Sequence, residues 1–384
     1  MLGTYGAARR GFLRIVSGIA LAALALIPAA RADEISIAAQ LALTGPYAFA
    51  GAPSRDGLAV ALDQVNARKL AGDHTIRLTI EDTASDKQQD ITLINQFARR
   101  DDVILVLGPS SSLEGVAVAP IANTLHVPLL TTTALADDII KAGEWAFRTP
   151  ASAARTMGEV AKYAVDKLHV KRVVMVFVRD NDGAIAQKNV ARDALKAHGA
   201  EIVSEESVLS ADTDFMAVVT KLQASEVDAI FLACPSEQSA NFIIQARQAG
   251  IDPSTHFIGT PAMGSSRFID VGGKAVEGAT FAADYFPAND SRENQDFVAA
   301  FRAKFKHDPD ALAALGYTSL QVAAAAIRQA GASPTRQSVR AALAGIRDLP
   351  VVLGNGKFSF DASRAPDYGA LVLTVKDGKF VKAP

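Results

Sequence analysis

The sequence has 384 residues, 49% apolar and 21% charged, with 27 Gly, 16 Pro and no low-complexity tract. Such a chain buries a large core, exceeds one average domain and excludes extended disorder. Setting aside residues 1–32, which carry four arginines and no acid, takes the formal charge from −2 to −6, which argues against nucleic acid or an anionic membrane as partner.

In chain order, the first feature is an export signal. Arg9, Arg10 and Arg14 precede an apolar run from Ile15 to Ile27, and Pro28 precedes the small-x-small site Ala30-Arg31-Ala32. The run is shorter than the roughly 20 residues a membrane span needs, so cleavage after Ala32 is expected. Arg9-Arg10-Gly11-Phe12-Leu13 resembles a twin-arginine signal but has Ala8 before the pair, and the general secretory route stays open.

Beyond it, apolar runs at Ile35–Leu43, Ile76–Ile80, Val103–Leu107, Val173–Val178 and Val227–Ala233 have the length and the Val/Ile content of buried strands. Helical patterns fall between them, near 53–67, 87–100, 113–125, 151–168, 184–198 and 236–249. Strict alternation predicts an α/β fold of mainly parallel sheets with helices on both faces. A late helix is expected to open at Asp308 as N-cap with Pro309 in its first turn, and to stop at Gly331 ahead of Pro334. Lys357–Phe360, Ala370–Lys376 and Lys379–Lys382 read as strands, the last two joined by Asp377-Gly378 as a hairpin. Cys234 is the single cysteine, so no internal disulfide forms, and its apolar setting suits an inert thiol.

The chemistry concentrates where strands end. Val103–Leu107 runs into Gly108-Pro109-Ser110-Ser111-Ser112 and then a helix, placing hydroxyls and free N–H groups at a helix N-terminus on the carboxyl edge of a sheet, a setting for an anionic ligand. One serine suffices to cap the helix, and three exceed that need. The next strand ends in Thr131-Thr132-Thr133 and forms a second wall. Thr44–Gly51 is a loop whose Tyr47 and Phe49 are candidates to stack on a ligand. There is no Gly-x-Ser-x-Gly elbow and no phosphate-binding loop, and the six histidines lack metal-ligand spacing, so neither catalysis nor a cofactor or metal is expected. A serine nucleophile among Ser110–Ser112 would need a histidine base, and His126 stands at the far end of the following helix.

Several segments in order resemble the periplasmic leucine/isoleucine/valine-type binding proteins of ABC importers. They are Leu43-Thr44-Gly45-Pro46, Asp82 with Asp86, Gly108-Pro109-Ser110-Ser111-Ser112, Ala119–Ala122 with Val127-Pro128, Ile244–Gly250, Gly316-Tyr317 and Lys376–Val381. The resemblance spans about 33–382. It implies a two-lobed type I periplasmic-binding-protein fold, each lobe a mainly parallel sheet flanked by helices, with three hinge crossovers near Arg148–Pro150, Ala283–Pro287 and Leu349–Leu353. One lobe would comprise 33–149 with 284–350, the other 150–283 with 351–384. The implied protein is a periplasmic monomer that closes on a small ligand and delivers it to membrane permease subunits. Ser112 falls on the family's carboxylate-binding serine and Thr133 on a backbone contact. The ammonium side departs from the pattern: Leu135 replaces a threonine, Asp182 and Pro235 replace aromatics, and Pro261 replaces a glutamate. A buried ammonium without a carboxylate partner is costly. The expected ligand is therefore an aromatic or α-keto acid lacking an amine, with Tyr47, Phe49, Leu135 and Met263 lining an apolar pocket. The alternatives are an ordinary amino acid ligand and, in another class, a sensory module of the same fold, which the end of the chain just after the hairpin disfavours.

Overall fold

The computed structural model describes Met1, Leu2 and residues 34–384, so the rest of the expected export signal lies outside the described residues. Strand β1 (Glu34–Leu41) leads into α1 (Ala48–Ala67), followed by β2 (Thr75–Asp82), α2 (Lys87–Ala98), β3 (Val103–Leu107), α3 (Ser112–Thr124), β4 (Leu129–Thr131), α4 (Asp137–Lys141) and β5 (Ala146–Arg148). The five strands pair in parallel in the order β2-β1-β3-β4-β5. Every residue of β3 is buried, as its unbroken apolar run requires of a strand covered on both faces.

The chain then builds a second sheet through α5 (Ala153–Asp166), β6 (Arg172–Val178), α6 (Asp182–Ala197), β7 (Glu201–Val208), α7 (Met216–Gln223), β8 (Ala229–Ala233), α8 (Ser236–Gln248), β9 (His256–Gly259), α9 (Ser266–Gly272) and β10 (Thr280–Ala283). Its parallel part has the order β10-β9-β8-β6-β7, the strand order of the first sheet over again, although the sequence shows no clear repeat. Strand β7 escaped the sequence reading because Glu201, Glu205 and Glu206 interrupt it; it is an edge strand with solvated positions.

Helices α10 (Arg292–Phe305), α11 (Ala311–Ala330) and α12 (Arg336–Ala344) return to the first core, where Phe297, Phe301, Leu320 and Ile327 join Ile37, Leu105 and Leu107. Helices α1 and α11 touch backbone to backbone. A Cβ at Gly57 would stand 1.9 Å from the Ala313 carbonyl oxygen, and one at Gly316 2.2 Å from that of Ser54. The N-cap of α11 is Asp310, which accepts from Ala313 N at 2.9 Å, and not Asp308, which pairs with Arg302 on α10 instead. Gly331 closes this helix at φ +87° as expected.

The remaining strands are β11 (Leu349–Pro350), β12 (Lys357–Phe360), β13 (Pro366–Asp367), β14 (Leu371–Lys376) and β15 (Lys379–Lys382). The first three form a small sheet on the first core; the last two form the expected hairpin, antiparallel to β10, with Asp377 and Gly378 at φ +53° and +67°. Val351, Val352, Leu353, Phe358, Phe360 and Tyr368 belong to the first core, so the stretch 351–368, expected in the second lobe, packs with the first sheet. The third passage between the sheets accordingly lies at 368–370, later than Leu349–Leu353. One hydroxyl ties all three passages: Tyr368 Oη donates to Asp284 Oδ1 at 2.7 Å and accepts from Ala151 N at 2.6 Å. Burial pushes the Asp284 carboxyl up to about 6, against the pull of the Tyr368 bond.

Candidate functional site

Strand order dictates where ligands fit. In an open α/β sheet the crevice opens at the carboxyl edge, between the two central strands whose connections leave in opposite directions. In the first sheet those strands are β1 and β3, and the segments that follow them are the Tyr47 loop and the serine run.

The serine loop is tightly built. Gly108 has φ +98°, and a Cβ there would lie 2.0 Å from the Gln40 carbonyl oxygen, so only glycine fits. Ser110 Oγ accepts from Ala42 N at 3.3 Å, joining the loops after β3 and β1, and Thr133 Oγ1 donates to Ser110 O at 2.8 Å, joining those after β4 and β3. Ser111 is the N-cap of α3. It accepts from Glu114 N at 3.2 Å and donates to Glu114 Oε2 at 2.5 Å, so its hydroxyl is committed to a capping box. Ser112 Oγ accepts from Leu135 N and Ala136 N, both at 3.2 Å, which leaves its own proton free for an acceptor in the crevice. Thr132 is fully buried and its hydroxyl has no protein partner. Beneath Leu135, the buried Arg148 donates to the Leu135 carbonyl and pairs with Asp137 at 2.6 Å.

The Tyr47 loop is anchored from β2. Asp82 accepts from Leu43 N, Thr44 N, Thr44 Oγ1 and Ala84 N; burial works to raise its pKa, but these bonds carry it below the usual range. Ser85 Oγ accepts from Tyr47 N at 3.0 Å. The Tyr47 phenol is raised first by burial and then by the carboxylates of Glu114, Asp182 and Asp180. Asp180 and Asp182 follow β6 of the second sheet, so the charges at its carboxyl edge are felt at Tyr47. Phe49 is 55% exposed on the outer side of the same helix turn, its ring 6.1 Å from that of Tyr47.

The matching crevice of the second sheet lies between β6 and β8. Asn181 caps α6 by accepting from Ala184 N at 3.0 Å, and Asp182 is exposed as the first residue of that helix. Pro235 is the N-cap of α8 and offers no side-chain bond; Ser236 beside it has a buried, unpartnered hydroxyl. Pro261 opens a single turn after β9. Met263 does not join them. It is fully buried in the second core with Phe268 and Phe281 and packs against Gly259, whose missing Cβ makes room for its thioether. Cys234, at the end of β8, is buried and its thiol is pushed up to about 12, which removes thiolate chemistry from this edge.

The structure thus gathers Tyr47, Ser110, Ser112, Thr132, Thr133 and Leu135 on one edge, and Asp182, Pro235 and Pro261 on the other, with Ser111 serving as a cap. The sequence reading missed Glu114 and Arg148; the Ser-x-x-Glu spacing of a capping box at Ser111 was the available signal for the first. A surface hollow of about 570 Å³, lined by His126, Trp145 and Arg336, lies at the opposite, amino-terminal edge of the first sheet. Among the described residues no helix is long and apolar enough to cross a membrane.

Comparison with known proteins accords with this architecture. The chain is 27% identical over 350 residues to the Leu/Ile/Val-binding protein BraC3 of Rhizobium johnstonii, covering 89% of this chain and 92% of that one. Two solved structures share the fold, each over 91% of this chain. The branched-chain amino acid transporter substrate-binding protein LivJ of Streptococcus pneumoniae, in complex with isoleucine, matches over its whole length at TM-score 0.81 and 24% identity. A solute-binding protein of an ABC transporter from Rhodopseudomonas palustris, in complex with 3,4-dihydroxybenzoic acid, matches over 96% of its length at TM-score 0.79 and 23% identity. Residues 34–379 match the family described as periplasmic binding protein, and the chain belongs to that family, as a solute-binding protein of an ABC transporter.

Proposed function

We propose that this protein captures a small carboxylate between its two sheets and presents it to the permease subunits of an ABC importer. The ligand class argued for is an aromatic or α-keto acid without an α-ammonium. The observation that carries the carboxylate is Ser112, whose oxygen is saturated by two N–H donors and whose proton is left for an anion at the first turn of α3. Thr132, with its unpartnered hydroxyl, and the Thr133–Ser110 bond support the same edge. On the facing edge, Pro235 and Pro261 supply no charge for an ammonium, and Tyr47 and Leu135 supply apolar surface.

In this reading the sheets are the cores of two lobes, 34–148 with 285–368 and 150–283 with 369–384, closing by hinge motion as a monomer. Export to the periplasm follows from the family, and removal of a signal after Ala32 fits the sequence. A second reading, an amino acid ligand, is favoured by one observation: Asp182 is an exposed carboxylate at the first turn of α6 whose charge is felt at the Tyr47 phenol, a candidate partner for an ammonium.

Thermal unfolding of the purified protein separates the two. A ligand at about 100 times its Kd adds about 2.7 kcal/mol and shifts the transition visibly. Amine-free carboxylates are expected to stabilise the protein while the matching amino acids do not. Stabilisation by leucine-like amino acids and not by their deaminated analogues would replace the first reading with the second.

A further inference from the structure

Beneath the Ser110–Ser112 loop lies a polar layer that ligand capture does not directly use. Glu114 on α3 and Asp90 on α2 are both at 0% exposure, on helices that pack against each other. Their surroundings differ. Glu114 accepts from Thr83 Oγ1 at 2.5 Å on one oxygen, and from Ser111 Oγ at 2.5 Å and Ser111 N at 3.3 Å on the other. Neither oxygen of Asp90 has a protein partner. Among the described residues no Lys, Arg or His pairs with either carboxyl. The strands packed on α2 bring no further charge: β3 is wholly apolar, and the one ionisable residue of β1, Glu34, is exposed at its far end, where it pairs with Arg77. Glu114 is the only ionisable residue of α3, and Lys87, at the start of α2, is exposed.

A buried carboxyl without hydrogen-bond donors ionises reluctantly, and Asp90 is the one that has none. Burial first, and the Glu114 charge second, push Asp90 up to about 8.

We propose that Glu114 is a positioning residue for the carboxylate site, holding Ser111 and the loop after β2 in register with Ser112, and that it acts only beside a protonated Asp90, so that anion capture weakens in alkali. The proposal rests on the reading of Ser112 as the carboxylate holder. Loss of the Asp90 proton places a second negative charge beside the first turn of α3, where the ligand anion also sits. The two charges oppose each other reciprocally: bound anion favours the protonated acid, and the ionised acid disfavours the anion.

The test compares the parent with Asp90→Asn between pH 5 and 10, using benzoate and leucine as calorimetric probes and the unfolding midpoint of the ligand-free protein as a second readout. Whichever probe binds, its Kd in the parent is expected to be level below about pH 8 and to rise above it, at most tenfold per pH unit because one proton is involved, while the variant's profile is flatter. For stability the sign is fixed by a folded pKa raised above the unfolded value of about 3.9. The folded state binds the extra proton, so the parent loses stability relative to Asp90→Asn as pH climbs to about 8, and the gap is constant beyond. An identical affinity slope in the variant, or a stability gap that does not change between pH 5 and 8, would overturn the proposal. Which probe binds tests the ligand reading separately; if neither binds, the anion-capture proposal falls with that reading, and the ligand-free comparison tests the Asp90 proton alone.

Discussion

The two carboxyl edges share a strand order but not a construction. On the first, Ser110, Ser112 and Thr133 bond across three loops, and Gly108 is clamped against Gln40. On the second, Asp182 is exposed, Pro235 caps α8 without a side-chain bond, and Pro261 opens its turn. On the proposed reading, the first edge is the fixed receptor for the anion, and Pro235 and Pro261 on the second supply shape and apolar surface. On that reading, fixed donors lose little freedom when the anion binds.

Substitutions at corresponding places sharpen that contrast. The largest effect is expected at Gly108→Ala, where a positive φ and a Cβ inside the Gln40 carbonyl contact cost about 3 kcal/mol of stability; Gly183→Ala on the second edge meets nothing nearer than Asn181 Oδ1 at 3.2 Å and stays within about 0.5 kcal/mol. Chemical unfolding of both variants measures the pair, and equal losses would erase the proposed difference in rigidity. Next, Ser112→Ala is expected to weaken carboxylate binding by about 1.5–3 kcal/mol, the range for a hydrogen bond to a charged group. Asp182→Asn should change it less than threefold for an amine-free ligand. Calorimetry would break the comparison if Asp182→Asn proved the more damaging. Tyr368→Phe, which strips Asp284 of its donor between the edges, is expected to cost about 1–2 kcal/mol in unfolding experiments.

Much of this was legible in the sequence where one physical cause acted alone. Apolar runs such as Val103–Leu107 became strands because both faces are covered, and Asp377-Gly378 became a hairpin because both residues tolerate positive φ. Where two causes competed, the sequence was ambiguous. Asp308 and Asp310 both suit an N-cap, and Arg302 took the first. Met263 is apolar enough for a pocket or a core, and the gap at Gly259 drew it into the core. Ser111 and Ser112 are chemically alike; the Ser-x-x-Glu spacing marks Ser111 as the cap, and the three-dimensional account of donors shows the Ser112 proton left over. The shift of the third passage to 368–370 came from Phe358 and Phe360, whose alternation says that one face is buried but not against which sheet.

The Tyr368 hydroxyl has a consequence in time. It joins Ala151, 217 residues earlier in the chain, to Asp284, 84 residues earlier. Contacts of such sequence separation form late, because the intervening loops must close first. A chain emerging from its amino end carries strands β1–β10 before residue 368 arrives, so the hydroxyl that ties the three passages is added after the parallel strands of both sheets.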